Sequence, residues 1–149
     1  MKPLNCQRGT SMLEGLIAMA IFAIAVLGLL ALQTKLLRAS TQSAYRVEAG
    51  LLGESMAGMV GTDSSNVGCY AVNSTSALAC GSPDSAAAAE SWRQAVLARL
   101  PNTQALPAAD LPNPTVVIDA TGTATVTMKW EPPNDTSVRN FIIVAQPLQ

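Results

Sequence analysis

Residues 15–32 form an unbroken apolar run, GLIAMAIFAIAVLGLLAL, without one polar or charged side chain. Coiled as a helix at about 1.5 Å per residue, it spans about 27 Å, close to the hydrocarbon thickness of a bilayer. The pattern then changes. From Gln33 to Val60 apolar residues recur at helical spacing among Lys35, Arg38, Arg46, Glu48 and Glu54, and no proline intervenes. On this spacing Val47, Leu51 and Ser55 share one face, with Leu52, Met56, Met59 and Val60 beside it. The pattern predicts one long helix over residues 10–60, whose membrane-type half (15–32) leads into an amphipathic half packed on the remainder of the chain. Gly50, Gly53 and Gly58 lie within it. Each either weakens the helix, by roughly 1 kcal/mol relative to alanine, or lets a neighbouring helix approach closely.

Residues 61–149 read as a small head. Residues 61–82, rich in Gly, Ser, Thr and Asn, read as loop. A second helix is predicted over 83–100, with Ser82 as its cap, Pro83 at its first position and Pro101 ending it. Trp92, Val96 and Arg99 fall on one face of it, and Trp92 reads as a core anchor rather than a ligand platform. After a proline-punctuated linker (101–114), Thr115–Asp119 reads as a strand. Thr121-Gly122 is a turn. Residues 123–130 alternate, with Ala124, Val126, Met128 and Trp130 on one face. Residues 131–135 form a second turn region and 140–145 a last strand. Three strands with short connections predict an antiparallel meander laid on the amphipathic half of the long helix. The fold class is therefore α+β.

The 149 residues suit one domain, and a net charge of −1 argues against a nucleic-acid partner. The chain has no histidine. This removes the Ser-His-Asp and Cys-His constellations and the commonest metal ligand. Asp63, Asp84, Asp110, Asp119 and Asp135 are dispersed, without the spacing of a calcium loop, and read as solvated carboxylates. No enzyme activity, metal or cofactor is expected. Asn73-Ser74-Thr75 and Asn134-Asp135-Thr136 match glycosylation sequons but read as loop composition. Of the three cysteines, Cys6 precedes the apolar run, while Cys69 and Cys80 lie far beyond it. If the segment up to Gly9 is removed, an even number remains. Cys69 and Cys80 then read as one disulfide in an oxidising compartment, the alternative being two small buried apolar side chains.

Three readings of the amino terminus compete. A secretory signal peptide would use Lys2 and Arg8 as its basic region, but the Ala18-Met19-Ala20 pattern sits inside the apolar run rather than after it. A plain membrane anchor is the second. The third is a leader cut just before the apolar segment. Charge leaves the orientation open, because Lys2 and Arg8 flank one side of the run and Lys35, Arg38 and Arg46 the other. A disulfide between Cys69 and Cys80 would put the head outside the cytoplasm.

The stretch Arg8-Gly9-Thr10-Ser11-Met12-Leu13-Glu14 followed by the apolar run closely resembles the type IV prepilin motif. In that family a short basic leader ends in glycine, cleavage follows it, and the fifth mature residue is glutamate. The wider pattern of Ser11–Glu14, Ala20–Leu29 and Leu32-Gln33, with Trp92, Leu100-Pro101 and Trp130-Glu131 in the head, is similar to the minor pilins called type IV pilus modification proteins (the PilV type). The resemblance implies a leader at 1–9 removed by prepilin peptidase between Gly9 and Thr10. It implies N-methylation of Thr10, in place of the usual phenylalanine, and an assembly role for Glu14. Gly28 stands in an apolar run that lacks the proline of major pilins. The implied protein is a single-pass subunit of the bacterial inner membrane with its head in the periplasm, later packed into a pilus. Its partners are other minor and major pilins, the peptidase and inner-membrane lipid, with pilus assembly, twitching motility and cell adhesion as expected roles. Rival readings are a pseudopilin of a type II secretion system and a membrane-anchored periplasmic binding module.

Overall fold

A single α-helix, α1 (Thr10–Thr62), takes up both the apolar run and the amphipathic stretch after it. No proline interrupts it. Several of its hydroxyls turn back onto helix carbonyls: Thr34 Oγ1 donates to Ala31 O (2.9 Å), Thr41 Oγ1 to Leu37 O (2.5 Å) and Ser55 Oγ to Leu52 O (2.8 Å). These polar residues thus satisfy themselves within the helix. The computed structural model describes residues 10–103, 113–133 and 135–147. The leader proposed for 1–9 lies outside them. The chain divides into two compact units, Met1–Thr41 and Gln42–Gln149, with α1 contributing to both.

In the second unit α1 is joined by a 3-10 helix, Ser64–Tyr70, by α2 (Pro83–Arg99), and by strands β1 (Thr115–Ile118), β2 (Ala124–Trp130) and β3 (Arg139–Ala145). The strands form the antiparallel meander predicted, in the order β1-β2-β3, with Val116 opposite Val126 and Val126 opposite Ile143. The alternation in β2 has the face expected: Ala124, Val126, Met128 and Trp130 are buried, and the residues between them are half-buried. The architecture is α+β, a long helix with a three-stranded sheet and a short second helix.

The core gathers Ala49, Leu52, Met56 and Val60 from α1, Ala89, Trp92 and Val96 from α2, and the inward residues of β1 and β2. Of the two adjoining faces read from spacing, Leu52, Met56 and Val60 are buried with Met59 packed against the core, whereas the Val47, Leu51 and Ser55 face is not buried. Val47 and Leu51 are more than half exposed, and Ser55 is exposed as well. The reason is rotational. The two faces differ by about 100° per residue of offset, and the sheet packs on the one containing Gly53. A Cβ at Gly53 would come within 3.0 Å of Phe141 Cε1 and 3.2 Å of Met128 Cε. Gly53 thus serves close packing, but against the chain's own sheet rather than a neighbouring helix, whereas Gly58 meets nothing within 4 Å.

Helix α2 begins as predicted. Ser82 Oγ accepts from Ser85 N at 3.3 Å, and Pro83 occupies the first turn. Before it, residues 61–82 are more ordered than a loop reading allows, holding the 3-10 helix and a bridge between Val72 and Val116. That bridge covers part of the outer edge of β1. The described ends of the 101–114 linker also differ from expectation, since Thr103 and Asn113 are buried. The Asn113 side chain pairs with the backbone of Lys129 in both directions, donating to its O at 2.6 Å and accepting from its N at 3.0 Å. An amide side chain thereby prolongs the β1–β2 ladder by one step beyond Thr115.

Candidate functional site

Among its described residues the first unit is a helix without an internal partner. Every described side chain from Met12 to Thr41 is exposed. Leu16, Ile17, Ile21, Phe22, Ile24, Leu27, Leu29, Leu30 and Leu32 are each more than half exposed. These residues point all round the helix rather than along one stripe. A helix apolar on every side is stable only in surroundings as apolar as itself, either lipid or other apolar helices. By length and composition it is long and apolar enough to cross a membrane.

Glu14 is the only charged residue between Arg8 and Lys35. It is exposed and lies beyond the first turn of α1, which holds no acid. The helix dipole is strongest within that turn, so a dipole role accounts for little of its presence. Gly9 lies outside the described residues. Thr10 is the first residue of α1, and its side chain is likewise outside the description.

In the second unit Cys69 and Cys80 are joined in a disulfide. Cys69 is buried and Cys80 exposed. The alternative of two buried apolar thiols is thereby set aside. The adjoining Gly68 is tightly confined: a Cβ there would lie 2.6 Å from the carbonyl oxygens of both Leu78 and Ala79.

Asp63, read from sequence as a solvated carboxylate, is instead a junction. It accepts from Ser85 Oγ (2.6 Å), Asn66 Nδ2 (2.9 Å) and Tyr70 OH (3.1 Å). These bonds tie the end of α1, the 3-10 helix and the start of α2 to one carboxylate. The Ser85 hydroxyl first, and then the Asn66 amide, hold the Asp63 carboxyl below its ordinary value. Burial pushes the Tyr70 phenol up. Asp119 and Asp135 are likewise engaged rather than merely solvated. Asp119 Oδ1 accepts from Thr121 N (2.8 Å) and Thr123 N (2.9 Å) across the β1–β2 turn, where Gly122 takes φ 83°. Asp135 Oδ1 accepts from Ser137 N (3.0 Å) before β3. Asp110 lies outside the described residues. The local D-x-T and D-x-S patterns signal the two turn carboxylates. Asp63-Ser64-Ser65 carries the same D-x-S pattern, but nothing local signals its partner Ser85, 22 residues away.

Among the described residues no group of His, Cys, Asp and Glu is placed to hold a metal ion. No family model, curated protein or solved structure matches the chain.

Proposed function

We propose that the chain is a minor pilin, a structural subunit of a type IV pilus that is made as a precursor with a cleavable leader at 1–9. The observation that carries the reading is Glu14. A lone acid stands directly before the uncharged apolar run 15–32, whose whole circumference is open. Such a residue has a use where the surroundings supply a cation, and cutting after Gly9 creates one, the α-amine of Thr10. The helix then serves twice, first held in the inner membrane with the head in the periplasm, then packed among the helices of other minor and major pilins. The Cys69–Cys80 bond fits a head on the oxidising side. Arg8-Gly9 fits recognition by prepilin peptidase, and the new amine of Thr10 is the site for N-methylation. Through the filament the subunit would act in pilus assembly, twitching motility and adhesion.

N-terminal sequencing of the membrane-extracted protein tests this reading. The mature chain should begin at Thr10, and the subunit should co-purify with sheared pili. An intact Met1, or a start after Ala20, would overturn it.

A further inference from the structure

At one end of the second unit a cleft of about 270 Å³ opens between α1 and the β2–β3 pair, lined by Gln42, Arg46, Trp130, Val138, Arg139 and Asn140. Trp130 and Arg139 are directly opposite in the β2–β3 register and so project to the same side of the sheet. The polar lining is rich in donors. Arg46 makes no ion pair among the described residues, while Arg139 Nη2 donates to Asp135 Oδ2 at 3.2 Å and keeps its other N–H groups. Gln42 Nε2 donates to the same Asp135 oxygen at 3.0 Å. Trp130 is almost wholly buried, and its indole N–H has no hydrogen-bond partner among the described residues. The other tryptophan contrasts with it, for Trp92 Nε1 donates to Leu52 O at 2.7 Å.

We propose that this cleft is a carboxylate-binding site. Arg46 and Arg139 bring two positive charges and Asp135 one negative, so one negative charge balances the site. A carboxylate supplies it, and its planar pair of oxygens matches a guanidinium fork. A phosphate monoester, with about −1.5 to −2 charges at neutral pH, would overshoot that balance against Asp135. Trp130 forms part of the cleft wall with its indole N–H closed to solvent, so its signal reports on the site without taking part in it. The inference stands on the second unit alone and does not depend on the proposed function.

The test uses the full ¹⁵N-labelled chain in detergent micelles, following both indole N–H signals by NMR as sodium acetate is added. Sodium chloride at matched ionic strength and sodium phosphate form the other arms. The Trp130 signal should move saturably with acetate, less with phosphate and not with chloride, while Trp92 stays still. Arg46→Ala should weaken the acetate response about tenfold, the scale of losing one hydrogen bond to a charged group. An unmoved Trp92 signal would show the fold intact. If Arg46→Ala disturbs Trp92, Arg46→Gln keeps the bulk and removes the charge, and the same loss is expected. A Trp130 response that follows chloride, saturates at lower phosphate than acetate, or survives both Arg46 substitutions would overturn the proposal.

Discussion

The indole N–H of Trp92 donates to the backbone carbonyl of Leu52 at 2.7 Å, pinning α2 to the buried stripe of α1. The carbonyl also accepts from Ser55 Oγ, so its removal from Trp92 leaves it satisfied. Trp92→Phe should therefore cost only about 1–2 kcal/mol, one hydrogen bond and a little volume. Trp92→Ala, which empties the site, should cost about 3–5 kcal/mol. Urea unfolding followed by far-ultraviolet circular dichroism separates the two. Equal losses would mean that the hydrogen bond rather than the ring holds α2.

Gly68→Ala should impair closure of the Cys69–Cys80 bond. The added methyl meets backbone oxygens of Leu78 and Ala79 at 2.6 Å, and backbone has no rotamer with which to yield. The segment must move away just where Cys80 has to reach Cys69. The bond itself contributes about 3 kcal/mol in the chain-entropy view of a loop this short. Mass spectrometry of unreduced, protease-digested protein should find the linked peptide pair reduced in Gly68→Ala and absent in Cys80→Ser. Full linkage in Gly68→Ala would show that the 78–79 segment relaxes freely.

Acid should loosen the junction at Asp63. Its carboxyl is held below the ordinary value of 3.8, so the folded state binds its proton less readily than the unfolded chain. The associated stability is present above the unfolded pKa and is lost as pH falls through the folded one. Thermal midpoints should therefore drop as pH is lowered from about 5 towards 3, with Asp119 and Asp135 adding in the same direction. Ser85→Ala removes the largest cause of the shift, and Asp63→Asn removes the titration. Both should flatten the acid limb relative to wild type, leaving the slope due to the two turn carboxylates and to Glu90, which the Arg93 guanidinium holds down to about 2. An unchanged limb in both variants would mean that Asp63 contributes nothing to it.

The elements other than the 3-10 helix, which lay in a stretch read as loop, were legible from local signals. The run at 15–32, the Ser82-Pro83 start of α2 and the strict alternation of 124–130 are local signals, and each element appears where its signal lies. What spacing could not supply was rotation. Two adjoining faces run along α1, and the sheet packs on the one where Gly53 leaves room for Phe141 and Met128 from distant strands. The same holds for Asp63 and Asn113. Asp63 reads as solvated and Asn113 as part of a linker, and their partners, Ser85 and Lys129, are fixed only once α2 and β2 are in place. The cleft at Arg46, Trp130 and Arg139 unites residues from three elements and has no sequence signature at all.

Glu14→Ala offers the sharpest test of the proposed function. Charged residues at the bilayer centre cost about 2.5–3.5 kcal/mol on insertion scales, and less towards the edge, where Glu14 stands in the proposed topology. Removing it should therefore leave membrane insertion unimpaired. Leader cleavage should also continue, since Arg8 and Gly9 are untouched. What the variant loses is a partner. In the proposed filament the α-amine of Thr10 on an incoming subunit pairs with Glu14 of a neighbour, and an unpaired charge among apolar helices is expensive enough to fix the axial register. The alternative, an acid that merely suits a helix start, would be worth about 0.3–1 kcal/mol and only within the first turn, which Glu14 lies beyond. Cells carrying Glu14→Ala should accumulate mature subunit beginning at Thr10 in the membrane fraction, yet lack it in sheared pili. Glu14→Gln, which keeps the shape and loses the charge, should fail in the same way. Normal incorporation of either variant would reduce Glu14 to a helix-start residue and leave the packing of the apolar helix as the sole determinant of assembly.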